Sequence, residues 1–333
     1  MNDKVKDKKQ FYISSSPHFS ANLTTTKIMA CVLIALLPEV IFGIVTFGLP
    51  AFVTILVSVI GAVGFEALYQ IITKQKVVVS NLSAAVTGVM LALVLPSTTP
   101  VWMVLLADLV AVVVAKGLFG GIGSNVFNPA LTGRAVLFIS FPAAIGATWA
   151  TPLPLLKQNP SLDAISSATV LSQINSGTFA VSGDSIWQLF MGNRAGCIGE
   201  TFILGIIISF VFLLMCRIID WRAPLAMVGT VCVCAFISGF VSTKTLAGAG
   251  TEVLLYLLSG GLLFGATFMV TDYATTPITK PGRLIFGFGC GIITFLIRRF
   301  GNYPEGVMFS ILIMNAVAPL LNNFTSRMYG YKK

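Results

Sequence analysis

From Lys27 onward the chain is a succession of apolar runs, each closed by a charge, a proline or glycines. Crossing a bilayer takes about 20 mainly apolar residues per helix. Ten runs of about that length fall near 28–48, 50–73, 80–96, 100–116, 134–150, 197–216, 223–243, 253–271, 284–300 and 305–321. The pattern predicts an all-α polytopic membrane protein of about ten transmembrane helices. Composition agrees: 10% of residues are charged, against about 25% in soluble domains, and the mean hydropathy is +0.91. The opening stretch, Met1 to Lys27, is too long and polar for a cleaved signal peptide and reads as a cytoplasmic tail.

A net charge of +9 invites a nucleic-acid reading, but the basic residues sit in connections beside apolar runs, where they set membrane topology. No nucleic-acid partner is expected. With the N-terminus inside, 16 Lys and Arg fall inside, Lys116 and Arg134 among them. Five fall outside: Lys157, Arg194, Lys244, Arg298 and Arg299. Both termini are then cytoplasmic, and the long polar interval 151–196 is extracytoplasmic. The organisation predicted is a tail over 1–27, a first five-helix repeat over 28–150, the loop 151–196, a second repeat over 197–324 and a C-terminal tail over 325–333.

The repeat is visible in short matches. "STTP" ends at Pro100 and "ATTP" at Pro277, and each precedes an apolar run and a glycine-bearing connection. Five spans per half is an odd number, so the halves must be inverted. Matched breaks in inverted halves are the usual pointer to a ligand or a pathway.

Chemistry-bearing residues are few. The cysteines (Cys31, Cys197, Cys216, Cys232, Cys234, Cys290) form no Cys-x-x-Cys pair, and the single histidine, His18, lies in the tail. No metal site is expected from such a set. "GFGCG" over 287–291 lies inside a span and reads as close helix packing; no dinucleotide or Walker pattern occurs. Glu39, Glu66 and Asp108 fall inside predicted spans, where a lone carboxylate is costly unless paired, hydrated or protonated. They are candidates for an ion path. The alternatives are a structural Asp108–Lys116 pair and a Glu39 that serves carbonyls freed by Pro38.

In order, "TTKIMACVLIALLPEVIFG", "NLSAAVTGVMLALVLP", "FNPALTGRAVLFISFP", "FMVTDYATTPITKPGRLIFG" and "FGNYPEGVMFSILIMNAVAPLL" resemble RnfD, the D subunit of the Rnf complex, an ion-translocating ferredoxin:NAD oxidoreductase. The sister family is the B subunit of the sodium-translocating NADH:quinone oxidoreductase, which usually has a longer N-terminal region than this one. The stretch "DAISSAT" resembles the family's flavinylation signal. By that resemblance Asp163, Ser166, Ser167 and Ala168 form the motif, and Thr169 carries FMN through a phosphoester made by a separate flavin transferase.

The resemblance further implies a bacterial plasma-membrane protein coupling redox chemistry to Na+ or H+ export, inactive alone. Its partners would be membrane and soluble subunits, including a second covalent-FMN subunit and iron–sulfur subunits, within membrane lipid. Thr98, Thr99, Asn302, Tyr303 and Glu305 are expected around the FMN. A non-covalent riboflavin is expected near Asn125, Asn128, Arg134, Asp272, Thr275 and Thr276. The competing reading is a urea- or ammonium-channel-like solute pore without redox chemistry, because fold alone does not decide function.

Overall fold

The computed structural model describes residues 24–146, 149, 150, 152, 183–192, 194–301 and 306–325. Among these residues the structure is helical, with no strand. The first half comprises α1 (Thr25–Phe47), α2 (Leu49–Ile72), α3 (Ser83–Leu93), α4 (Val101–Leu109, continuing as a π-helix over Val110–Gly117), α5 (Pro129–Ser140) and α6 (Pro142–Gly146). After α7 (Gly183–Met191) and a 3-10 turn (Ile198–Glu200), the second half comprises α8 (Ile203–Met215), α9 (Arg222–Thr243), α10 (Leu246–Leu258), α11 (Leu262–Phe264, continuing as a π-helix over Gly265–Met269), α12 (Lys280–Phe300) and α13 (Val307–Thr325).

Local chemistry explains the boundaries. Thr24 starts α1 by accepting from Lys27 N at 3.3 Å, and Thr279 starts α12 by accepting from Gly282 N at 3.2 Å, as capping hydroxyls do. Gly48 turns α1 into α2 at φ 71°, a left-handed angle that glycine adopts without steric cost. Pro50 then follows in the first turn of α2, where its missing N–H is no loss.

Four helices are long and apolar enough to cross a membrane: α1, α2, α9 and α12. A fifth crossing results if α10 and the α11 segment, bent by 63° at their junction, count as one span. The remaining expected spans are shorter. The run at 80–96 is helical only over Ser83–Leu93, the run at 134–150 begins earlier and breaks after Ser140, and the run at 197–216 is helical from Ile203. The irregular backbone after α3 is buried over Val94–Ser97, the arrangement that depth in a bilayer demands.

The first half packs α2 on α3 and α4, and α4 on α5. The second packs α9 on α10 and α12, and α12 on α13. The halves meet where α1 lies on α8 and α5 on α13. One apolar core runs through both, from Leu36 and Leu93 to Phe264 and Phe286. The glycines of the 287–291 run sit against the backbone and side chains of α9 and α13, so the packing reading of that stretch holds.

Several basic residues used to read topology lie inside the protein. Lys116, Arg134, Arg194 and Arg298 are all buried. They report internal pairing rather than the side of the membrane. Removing two from each side leaves 14 against 3, so the bias keeps its direction.

Candidate functional site

The buried charges group into three places. Lys116 Nζ donates to Glu66 Oε1 at 2.8 Å and to the Ser83 hydroxyl, joining α2, α3 and the end of the first π-helix. The expected alternative of an Asp108–Lys116 pair is therefore wrong. Eight residues of helix separate those two groups along one rod, whereas α2 brings Glu66 directly opposite. Asp108 instead contacts Ser58 Oγ at 2.8 Å. Glu39 is 1% exposed, and neither carboxylate oxygen has a hydrogen-bond partner among the described residues. The carbonyl-capping role for Glu39 is not realised. It faces α8 at Gly205, where a Cβ would lie 2.7 Å from Glu39 Oε1. The three carboxylates thus stand in three different environments.

The second place was not legible in the sequence. Arg134 Nη2 donates to Cys197 Sγ at 3.3 Å, and its Nη1 lies 4.0 Å from Glu200 Oε1. Arg194 donates to Glu200 O and to Gly260 O at 3.5 Å, while Arg298 donates to Tyr256 O at 2.8 Å and Ser259 O at 3.3 Å. Two arginines from distant segments thus serve the carbonyls left open where α10 breaks. Arg134 thus stands with Cys197 and Glu200. The only signal in the sequence was a charge inside an apolar run; its partner lies 63 residues away.

The third place is the junction of the two halves. Asn128 caps α5 by accepting from Leu131 N at 3.3 Å and reaches Met269 O at 3.5 Å across the repeat boundary. Asn125 Nδ2 donates to Asp272 Oδ2 at 3.5 Å and to Phe127 O at 3.2 Å, and Thr275 Oγ1 donates to the same Asp272 oxygen at 3.1 Å. Asn125, Asn128, Asp272 and Thr275 are therefore brought together as expected. Thr276 lies just beyond, donating to Val270 O at 2.6 Å.

Two cavities flank this junction. One, of about 150 Å³, is lined by apolar side chains of α1, α3 and α8 and by Lys116, Asn125, Asn128 and Asp272. The other, of about 440 Å³, is lined by Arg217, Asp220, Trp221, Arg222, Thr276 and Arg283. Ile218, Ile219, Thr271, Asp272 and Tyr273 line both, and the Tyr273 hydroxyl donates to Ile218 O across that shared wall. In the larger cavity Asp220 Oδ2 accepts from Arg222 and Arg283, each at 2.8 Å. Burial works to raise the Asp220 carboxyl. The backbone N–H of Arg222 and the guanidiniums of Arg283 and Arg222 outweigh it and hold the group below its ordinary value.

Apolar walls with a few amide and carboxylate groups along one edge suit a planar heteroaromatic ring with its own N–H and C=O edge. The smaller cavity lies below the roughly 300 Å³ of typical cofactor pockets and the larger lies above it. Of the residues expected around the FMN, Thr99 is buried, its hydroxyl donating to Pro96 O at 2.7 Å, and Thr98 lies beside it half-buried. Asn302, Tyr303 and Glu305, and the whole motif with Asp163, Ser166, Ser167, Ala168 and Thr169, fall outside the described residues.

Helices broken at membrane depth, buried ion pairs and a polar junction between two halves define a multi-pass helical membrane protein with an internal site. Residues 12–330 match the NQR2, RnfD, RnfE family, and the chain belongs to that family. It is 38% identical over 324 residues to the D subunit of the Na(+)-translocating ferredoxin:NAD(+) oxidoreductase complex of Acetobacterium woodii, covering 96% of each chain. It is equally 38% identical, over 323 residues, to the D subunit of the proton-translocating ferredoxin:NAD(+) oxidoreductase complex of Clostridium ljungdahlii, covering 95% of this chain and 94% of that one. The D subunit of the ion-translocating oxidoreductase complex of Stutzerimonas stutzeri is 37% identical, over 91% of this chain and 92% of its own length.

Proposed function

We propose that the chain is the D subunit of an Rnf-type complex, a membrane electron-transfer subunit with FMN esterified to Thr169. What supports this most is full-length similarity to three D subunits together with Asp163–Thr169 lying in the long polar interval between the halves. FMN, when bound, supplies one- and two-electron chemistry, which the protein's own side chains do not. This chain supplies the hydroxyl acceptor within a stretch of small residues.

The ten-helix inverted repeat is part of this reading. Laying Pro100 on Pro277 carries α3 onto 260–270, where the α11 segment lies, and α5 onto 306–317, where α13 begins. The contacts α2–α4 and α4–α5 become α9–α12 and α12–α13, both of which occur. On this reading both termini are cytoplasmic, the loop 151–196 faces outward, and iron–sulfur and second FMN subunits complete the complex in the bacterial plasma membrane. The junction of Asn125, Asn128 and Asp272 is where a non-covalent riboflavin would lie, its ring edge held by the two amides. The transported ion is Na+ or H+, since relatives of each kind are equally similar.

The test is direct. Purified protein fluoresces as a flavoprotein in a denaturing gel, and peptide mapping places a flavin phosphate adduct on the peptide containing Thr169. Thr169→Val abolishes both; fluorescence persisting in that variant removes the assignment. Solute flux through flavin-free protein in liposomes would favour the pore instead.

A further inference from the structure

The site concerned is the Ser58–Asp108 contact at the crossing of α2, α3 and α4. Ser58 Oγ lies 2.8 Å from Gly88 O on α3 and 2.8 Å from Asp108 Oδ1 on α4. Both are ordinary lengths for an O–H···O bond, which prefers to be nearly linear. A hydroxyl brings one proton and a carbonyl brings none. One proton cannot lie on both lines, and two oxygens this close without a proton between them repel through their lone pairs. The row Gly88 O, Ser58 Oγ, Asp108 Oδ1 therefore needs two protons, and only Asp108 can bring the second. Ser58 donates to Gly88 O, and the Asp108 carboxylic acid donates to Ser58 Oγ.

The surroundings agree. Asp108 is fully buried, and its Oδ2 has no hydrogen-bond partner among the described residues, a poor setting for an ionised carboxylate. Among those residues no cation faces it. On α2 and the π-helix, Glu66 and Lys116 satisfy each other. On α5, Gly133 is the residue against Ala107 O, and Arg134 is engaged with Cys197. The residues of α3 include no charge.

We infer that Asp108 is a proton-binding site in the first half, occupied in this conformation. Its occupancy decides which helix Ser58 ties to α2. With the proton in place, Ser58 is bonded to α3. Once the proton leaves, the carboxylate accepts the Ser58 hydroxyl, the bond to Gly88 O is lost, and two lone pairs face each other across the α2–α3 contact. The packing has no slack: a Cβ at Gly88 would meet Ser58 O at 2.7 Å in the α2–α3 contact, and one at Gly61 would meet Asp108 Oδ2 at 2.8 Å in the α2–α4 contact. Packing alone does not require the pair, because with Pro100 laid on Pro277 the counterparts of Ser58 and Asp108 are Ala235 and Ile285, while Gly265 matches Gly88.

Infrared spectra of the full chain in lipid bilayers test this at neutral pH. The wild type minus Asp108→Asn difference is expected to contain a C=O band of a protonated carboxylic acid. If carboxylate bands are lost instead, Asp108 is ionised and the inference fails. Asparagine keeps the volume and can donate to Ser58, so the variant should fold. Ser58→Ala provides a second reading with Asp108 retained: the acid band shifts as its proton loses its acceptor, and an unshifted band also overturns the inference. Neither readout depends on flavin, and both variants keep the Thr169-dependent fluorescence, so the two proposals fail separately.

Discussion

Replacing Lys116 with methionine keeps a long unbranched side chain and removes its charge. The Glu66 side chain, 8% exposed, is then left without its cation. At 2.8 Å the attraction between the two is about 6 kcal/mol at an effective dielectric near 20. Desolvating the two ions costs several kcal/mol each, so the intact pair nets little. Stranding one member is different, and Lys116→Met is expected to lose about 3–5 kcal/mol. Glu66→Gln should lose less, because Lys116 keeps the Ser83 hydroxyl. The double variant carries no charge and should lie within about 2 kcal/mol of wild type, a coupling energy of more than about 1 kcal/mol. Denaturant unfolding of the four purified proteins in detergent, followed by tryptophan fluorescence, measures the cycle. Additive losses, or a Lys116→Met protein as stable as wild type, refute the reasoning.

Two further outcomes follow from packing and from charge. Gly287→Ala places a Cβ 2.3 Å from Ala223 O, a backbone atom that cannot turn aside, so α9 and α12 must separate; a loss of about 1–3 kcal/mol is expected in the same unfolding assay. Asp220 sits below its ordinary carboxylate value in the folded chain, so its contribution is fully present above the unfolded value, about 3.9. It fades as pH falls through the folded value. Asp220→Asn should therefore lower the melting temperature at neutral pH, and the gap to wild type should close on acidification; a gap that is constant with pH would rule out the charge origin.

Much of the helical class was readable because bilayer thickness sets run length, and the runs beginning near 28, 50 and 223 match α1, α2 and α9 to within a few residues. The caps at Thr24, Asn128 and Thr279 start α1, α5 and α12 three to five residues ahead of the runs read from hydropathy, because a capping turn need not be apolar. The breaks were harder. Residues 80–96 and 197–216 are apolar nearly throughout, so periodicity cannot tell a helix that fills such a run from one that stops partway. Pairing was also hidden. Glu66 and Lys116 are 50 residues apart, and nothing local to either says that α2 faces the first π-helix. The grouping of Asn125, Asn128 and Asp272 was legible through the resemblance, whereas the partners of Arg134 were hidden, since Cys197 lies 63 residues away.

What decides where these helices stop is the supply of partners for open carbonyls. In water a broken helix end is solvated, but inside a membrane protein each freed C=O must find a donor in the protein. Here the donors come from afar. Ile198 N reaches Leu95 O at 3.2 Å, where the α3 run ends, while Arg298 and Arg194 serve Tyr256, Ser259 and Gly260 at the bend between α10 and α11. The segment 194–202, on the far side of the interval that holds Thr169, thus closes breaks in both halves. An arginine fits such a place better than a lysine, because its fixed fork of donors reaches more than one carbonyl and it does not shed its charge on burial. The breaks and the buried arginines are then one feature. The irregular backbone at these breaks is stable because Arg298 and the segment 194–202 supply its donors.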